Sequence, residues 1–181
     1  MAIDRTLNLT CTPTLIWYPN GSIGATLAYS QGASVPNMPN VVNPANGNIN
    51  LGRMPKNNNY TDNVDIIITL DSSHCVDQNG RPIGVRWAYP NEGNPPNDIG
   101  CIWFVNTPAP GHPKDTTAIA IPGMSTGRTS DSLVFIDDNT PPDQPGQQSV
   151  YSFCMAIVIP SRSNYYITID PQVVGKGVTQ K

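Results

Sequence analysis

Val150 to Ile159 reads VYSFCMAIVI. Tyr151, Phe153, Met155, Ile157 and Ile159 occupy alternate positions, so an extended chain places them on one face. It is the longest strand candidate in the chain, and the pattern repeats in shorter form on both sides of it. Downstream, Tyr165 to Ile169 closes the series before Asp170-Pro171. Upstream, Ser132 to Ile136 ends at Asp137-Asp138-Asn139, Thr116 to Ile121 alternates, and Gly100 to Thr107 is apolar on both faces. Further back, Ile83, Val85, Trp87 and Tyr89 alternate, as do Val64, Ile66, Ile68 and Leu70. Asn79-Gly80 and Pro82 between these two runs predict a hairpin. Leu7, Leu9 and Cys11 give a half-buried first strand, with Thr14 to Tyr18 and residues 25–30 as further short strands.

Nothing between these runs has a helical period. The 181 residues include 19 prolines and 15 glycines, and Glu92 is the only glutamate. Helix formers are scarce and helix breakers recur along the whole chain. The expectation is an all-β chain of seven to nine short strands with little helix. Turn spacing predicts one antiparallel two-sheet β-sandwich of immunoglobulin-like architecture spanning residues 1–181. Residues 31–62, rich in Asn, Pro and Gly, read as a long loop with one edge strand near Val41-Val42. The end from about residue 175 reads as a flexible tail. The predicted core comprises Val64, Ile66, Ile68, Val85, Trp103, Phe153, Met155, Ile157, Ile167 and Ile169.

Charge narrows the partners. The formal net charge is −3, the pI is about 5.1, and Lys56, Lys114, Lys176 and Lys181 are scattered. Nucleic acid and anionic membranes require a basic patch that this composition does not supply. No transmembrane run or signal-peptide core appears, which predicts a cytoplasmic protein. In that compartment Cys11, Cys75, Cys101 and Cys154 are expected as free thiols.

Several motifs suggest chemistry. Gly123 to Gly127 matches G-x-S-x-G, but both histidines, His74 and His112, precede Ser125, and a strand follows it instead of a helix. It reads as a glycine-rich loop between strands. A thiol enzyme needs a histidine beside its cysteine. His74 adjoins Cys75, yet neighbours in an extended chain point to opposite faces. Zinc spacings such as C-x-x-C are absent. Cys75, Trp87 and Cys154 follow the immunoglobulin order, though Cys75 lies beyond its strand. The acidic loop at Asp137, Asp138, Asn139 and Asp143 offers oxygen ligands after an apolar strand and is the candidate calcium site. Its competing reading is an Asp/Asn turn bonded to its own backbone. Trp17, Trp87 and Trp103 supply aromatics for a sugar platform or for the core, the core being favoured for at least two.

The last third carries a family likeness. Leu133-Val-Phe-Ile-Asp137-Asp-Asn139, Tyr151-Ser-Phe-Cys-Met-Ala-Ile-Val and Ile167-Thr-Ile-Asp170-Pro171-Gln-Val-Val174 resemble small bacterial β-sandwich proteins of the DP-EP type, and more distantly the inclusion-body protein family. The likeness covers about residues 132–175. The first type implies an immunoglobulin-like sandwich with no assigned activity; the second implies storage, self-association or glycan binding. Neither supplies a catalytic residue. The sequence therefore points to a non-catalytic binding or structural module, carbohydrate-directed, with no cofactor beyond the candidate calcium. Its expected partners are a glycan or further copies of itself. The alternative is a metal-dependent or thiol enzyme on the same scaffold.

Overall fold

A computed structural model describes residues 2–37, 41–45, 47–53, 58–93, 101–105, 118–141 and 149–176. The described chain is mostly β, with ten strands in two sheets and two single 3-10 turns at Leu51–Arg53 and Pro160–Arg162. No helix among these residues is long and apolar enough to cross a membrane.

The first sheet contains β1 (Ile3–Trp17), β2 (Ile23–Val35), β4 (Tyr60–Leu70), β7 (Met124–Ser130) and β8 (Leu133–Asp138), in the order β2-β1-β4-β8-β7. In the second, β3 (Ile49–Asn50), β10 (Tyr165–Lys176), β9 (Ser149–Ile159) and β5 (Arg86–Trp87) are neighbours in that order. β6 (Ile102–Val105) also pairs with β9. β5 and β6 thus lie end to end along the side of β9 away from β10.

The period-2 patterns place the core. Leu7, Leu9 and Cys11 of β1, with Val64, Ile66, Ile68 and Leu70 of β4, are buried. They meet Phe153, Met155, Ile157 and Ile159 of β9 and Ile167 and Ile169 of β10 in one cluster drawn from both sheets. All ten residues predicted for the core are buried. Hydrogen bonds tie the two sheets together on both sides. Trp87 N donates to Asp131 O at 2.9 Å, and Thr126 Oγ1 donates to Ile102 O at 3.0 Å. On the opposite side Ile23 N donates to Tyr165 OH at 3.1 Å.

Pairing departs from the sequence expectation in three places. First, the sheets are not purely antiparallel: β1 pairs β4 in parallel, as β10 does β3. After β2 the chain leaves the first sheet, adds β3 to the second, and returns beside β1 running in the same direction; such crossovers permit parallel pairing. Second, β4 and β5 are not a hairpin. β4 pairs with β1 and β8, whereas β5 pairs with β9. The turn at Asp77–Gly80 closes a tighter local loop, in which Asp77 Oδ1 accepts from Asn79 N and Arg81 N. Residues 71–76 then dock along β1: Asp71 N donates to Cys11 O, and Trp17 Nε1 to Val76 O. Pro13 sits past the last β1–β4 pair, Cys11 with Leu70, so its missing N–H costs the parallel ladder nothing.

Third, the expected loop at 31–62 is shorter. β2 runs to Val35 and β4 starts at Tyr60. Val41, Val42, Ile49 and Leu51 are buried in the core, and Val42 bridges Ile49. At the other end of the chain, β10 continues through Lys176, past the start of the expected tail.

Candidate functional site

The residues named from sequence divide between core and surface. Asp137 and Asp138 are consecutive in β8 and so project to opposite faces. Asp138 is 0% exposed and lies in one cross-strand row with Val64 and Arg5, itself 6% exposed. Its Oδ1 accepts from Thr140 N at 2.9 Å and Thr140 Oγ1 at 2.6 Å. This is the turn-capping geometry of an aspartate bonded to its own backbone. Burial pulls the Arg5 guanidinium below its ordinary value, while the charges of Asp62 and Asp138 oppose that shift. Arg5 also pairs with Asp62 at 3.1 Å.

Asp137 lies on the outer face, opposite Asp65 in the ladder, and accepts from Asn139 Nδ2 at 2.7 Å. Burial raises the Asp65 carboxyl, as do the nearby charges of Asp137 and Asp4. Asp137 and Asp138 therefore present their carboxylates to opposite faces of the sheet. Asp143 lies outside the described residues, as do His112 and Asp115. Among the described residues no group of three or more His, Cys, Asp or Glu side chains is placed to hold a metal.

The G-x-S-x-G glycines have structural reasons. Gly123 turns the chain into β7 at φ +81°, a backbone conformation that side chains strain. Gly127 lies opposite Phe135, whose ring would stand 2.7 Å from an added Cβ. Ser125 is exposed near the start of β7, and His74 is exposed in the turn that follows β4. The four cysteines are free and buried. Burial pushes the Cys11 thiol up to about 12, and raises Cys75 and Cys101 as well. Trp87 and Trp103 are core residues, whereas Trp17 is half-buried with the Arg162 guanidinium 5.2 Å from its ring.

That last contact marks the end of the sheets where polar and aromatic groups gather. A cleft of about 620 Å³ opens there between the segment after β5 and the connection from β9 to β10. The first wall is built on Arg86. Its two terminal nitrogens donate to Glu92 Oε2 and Oε1, both at 2.7 Å, and Tyr89 N donates to Glu92 Oε2 at 2.7 Å. Glu92 N donates back to Tyr89 O at 3.0 Å, closing a tight turn. The guanidinium groups of Arg86 and Arg128 lie 4.0 and 4.4 Å from the centre of the Tyr89 ring. The chain's single glutamate thus fixes Asn91 and Gly93 at the rim. Its carboxyl is held below the usual range chiefly by the Arg86 hydrogen bonds, against an opposing effect of burial.

The second wall is the Pro160–Arg162 turn followed by Ser163 and Asn164, at φ 54° and 56°. Two successive left-handed residues reverse the chain tightly into β10. They set Arg162, Ser163 and Asn164 along one rim of the cleft. Val158 and Tyr166, cross-strand partners, also line it. Burial raises the Tyr166 phenol well above its ordinary value, so it remains a neutral hydroxyl. The cleft therefore combines amides (Asn91, Asn164), hydroxyls (Ser163, Tyr166), a guanidinium and a carboxylate with aromatic surface.

Sequence reasoning singled out none of these positions as a site. Their signals were present: one glutamate in a proline-rich loop, and Ser-Arg-Ser-Asn-Tyr-Tyr between two strands. No protein-family model, curated protein or solved structure matches the chain.

Proposed function

We propose that this chain is a non-catalytic binding module on an immunoglobulin-like two-sheet sandwich, and that its end cleft takes a carbohydrate. The observation that carries the reading is the composition of that cleft. Sugars present fixed hydroxyls with both donor and acceptor character, and apolar C–H faces. Asn91 and Asn164 offer side chains that donate and accept, and tyrosine offers a flat partner at low entropic cost. A volume of about 620 Å³ lies in the range of small-ligand sites. The Arg86–Glu92 clamp and the tight turn at Ser163-Asn164 preorganise both walls, which lowers the cost of binding. The sandwich reading is supported by the single core and by the ties on both sides of the sheets.

The thiol-enzyme alternative is weakened by burial of the cysteines, since the thiolate is the nucleophile and burial disfavours it. A glycan array probed with the wild type and with an Asn91→Ala, Asn164→Ala variant tests the proposal. The expected result is selective retention by the wild type and at least a tenfold loss in the variant. Absence of any glycan signal for the folded wild type would refute it.

A further inference from the structure

Asn-Gly occurs at 20–21, 46–47 and 79–80. Asn46 lies outside the described residues; Asn20 and Asn79 are both exposed in turns. An asparagine before glycine is open to spontaneous chemistry, because glycine has no Cβ to keep its backbone nitrogen away from the preceding carboxamide. We propose that Asn79 is a modification site of the folded protein, where attack by the Gly80 nitrogen converts the asparagine to aspartate and isoaspartate, and that the fold protects Asn20 from the same reaction.

The two sites are alike in most respects. Gly21 and Gly80 have φ of +83° and +74°, and a Cβ at either position would meet nothing within 4 Å. Gly21 N donates to Tyr18 O and Gly80 N to Asp77 O, both at 3.0 Å. Exposure, room and the state of the attacking nitrogen therefore do not separate them. The carboxamides do. Asn20 Oδ1 accepts from Ser22 N at 3.0 Å and from Ser22 Oγ at 2.7 Å, which aims its side chain past Gly21 and holds it there. In the other turn Asp77 does the capping: its Oδ1 accepts from Asn79 N at 2.8 Å and Arg81 N at 3.0 Å. The Asn79 carboxamide itself has no hydrogen-bond partner among the described residues. It is free to swing its carbonyl carbon toward Gly80 whenever the exposed turn loosens, whereas Asn20 must first break two further bonds.

The reaction needs only water. The Gly80 nitrogen gives up its proton to solvent and bonds to Asn79 Cγ; the Cγ–Nδ2 bond breaks and ammonia leaves. Water then opens the cyclic imide at one or the other carbonyl, giving aspartate or isoaspartate. Either product adds a negative charge, and isoaspartate also adds a methylene to the backbone of the turn that Asp77 closes.

Incubating the folded protein at neutral pH and body temperature in heavy-oxygen water, followed by peptide mapping, measures conversion at each asparagine. The expected result is label entering residue 79 at least tenfold faster than residue 20, in both aspartate and isoaspartate. In denaturant the two sites should convert at similar rates, because the bonds that separate them are gone. Ser22→Ala removes the shorter bond to Asn20 Oδ1; it should speed conversion at Asn20 severalfold and leave Asn79 unchanged. If that variant fails to melt cooperatively, the wild-type rates, folded and unfolded, decide alone. Conversion at Asn79 no faster than at Asn20 in the folded protein, an equal gap in denaturant, or aspartate without isoaspartate overturns the proposal. None of these outcomes depends on glycan binding at the end cleft.

Discussion

Replacing Glu92 with alanine tests the element that builds the end cleft. The substitution removes three accepted hydrogen bonds of 2.7 Å, two from Arg86 and one from Tyr89 N. The Arg86 side chain is 10% exposed and that of Glu92 is 24% exposed. Breaking a fully buried pair costs ~3–5 kcal/mol and an exposed pair ~0–1 kcal/mol. The half-sheltered pair here should fall between, at about 2–3 kcal/mol, most of it from a guanidinium left without its carboxylate. The Tyr89 ring still offers Arg86 a cation–π contact of ~0.5–2 kcal/mol, so folding survives. An Arg86→Met, Glu92→Ala double variant should then be more stable than Glu92→Ala alone, because no unpaired charge remains. The expected coupling is about 1.5–2 kcal/mol. Urea denaturation of the four proteins measures it, and with a slope of ~2 kcal/mol/M the single variant should lose roughly 1 M in midpoint. The pH dependence has a defined sign. A carboxyl whose folded value is depressed contributes fully above its unfolded value, about 4.3, and loses that contribution as pH falls through the lower folded value. The wild type and Glu92→Ala should therefore begin to converge in stability once pH falls below the unfolded value, and meet only below the depressed folded value. A single variant within ~0.5 kcal/mol of wild type, or a double variant less stable than the single, would refute the reasoning.

Three further outcomes follow from the same structure. Phe153→Ala should cost ~3–5 kcal/mol in denaturant titrations, because the side chain is 1% exposed at the centre of the core. Asp138→Ala should cost about 3–4 kcal/mol, since it strips Thr140 of an acceptor and Arg5 of a compensating charge, whereas Asp137→Ala should stay within ~0.5 kcal/mol. Paired thermal melts distinguish the two neighbours. The four cysteines should resist iodoacetamide at neutral pH in the folded protein and all react in denaturant without reductant, as mass spectrometry can count.

What the sequence revealed and what it concealed separate along physical lines. Alternation is local, so the strand at Ser149–Ile159 and the inward faces of β1 and β4 were readable from period 2 alone. Partner choice is not local. Nothing within Val64 to Leu70 indicates that β1, some 60 positions earlier, runs parallel beside it. Asn79-Gly80 is a true turn signal, but it closes only the loop at Asp77–Arg81 and does not join β4 to β5. Val41, Val42, Ile49 and Leu51 are too sparse to show a period, yet the fold buries all four. The acidic run at 137–139 looked like one cluster because sequence proximity hides alternation: consecutive strand residues face opposite ways. The end cleft was concealed for the converse reason. Asn91 and Asn164 are far apart in sequence, and only the β5–β9–β10 pairing brings their loops together.

The carbohydrate reading is tested most directly by backbone amide shifts during titration with methyl glycosides of the common hexoses and N-acetylhexosamines. The account predicts saturable changes confined to residues 89–93 and 160–166, with β1, β4 and the Asp137–Asn139 segment unmoved. No changes at tens of millimolar sugar, or changes centred on any other surface, would contradict it.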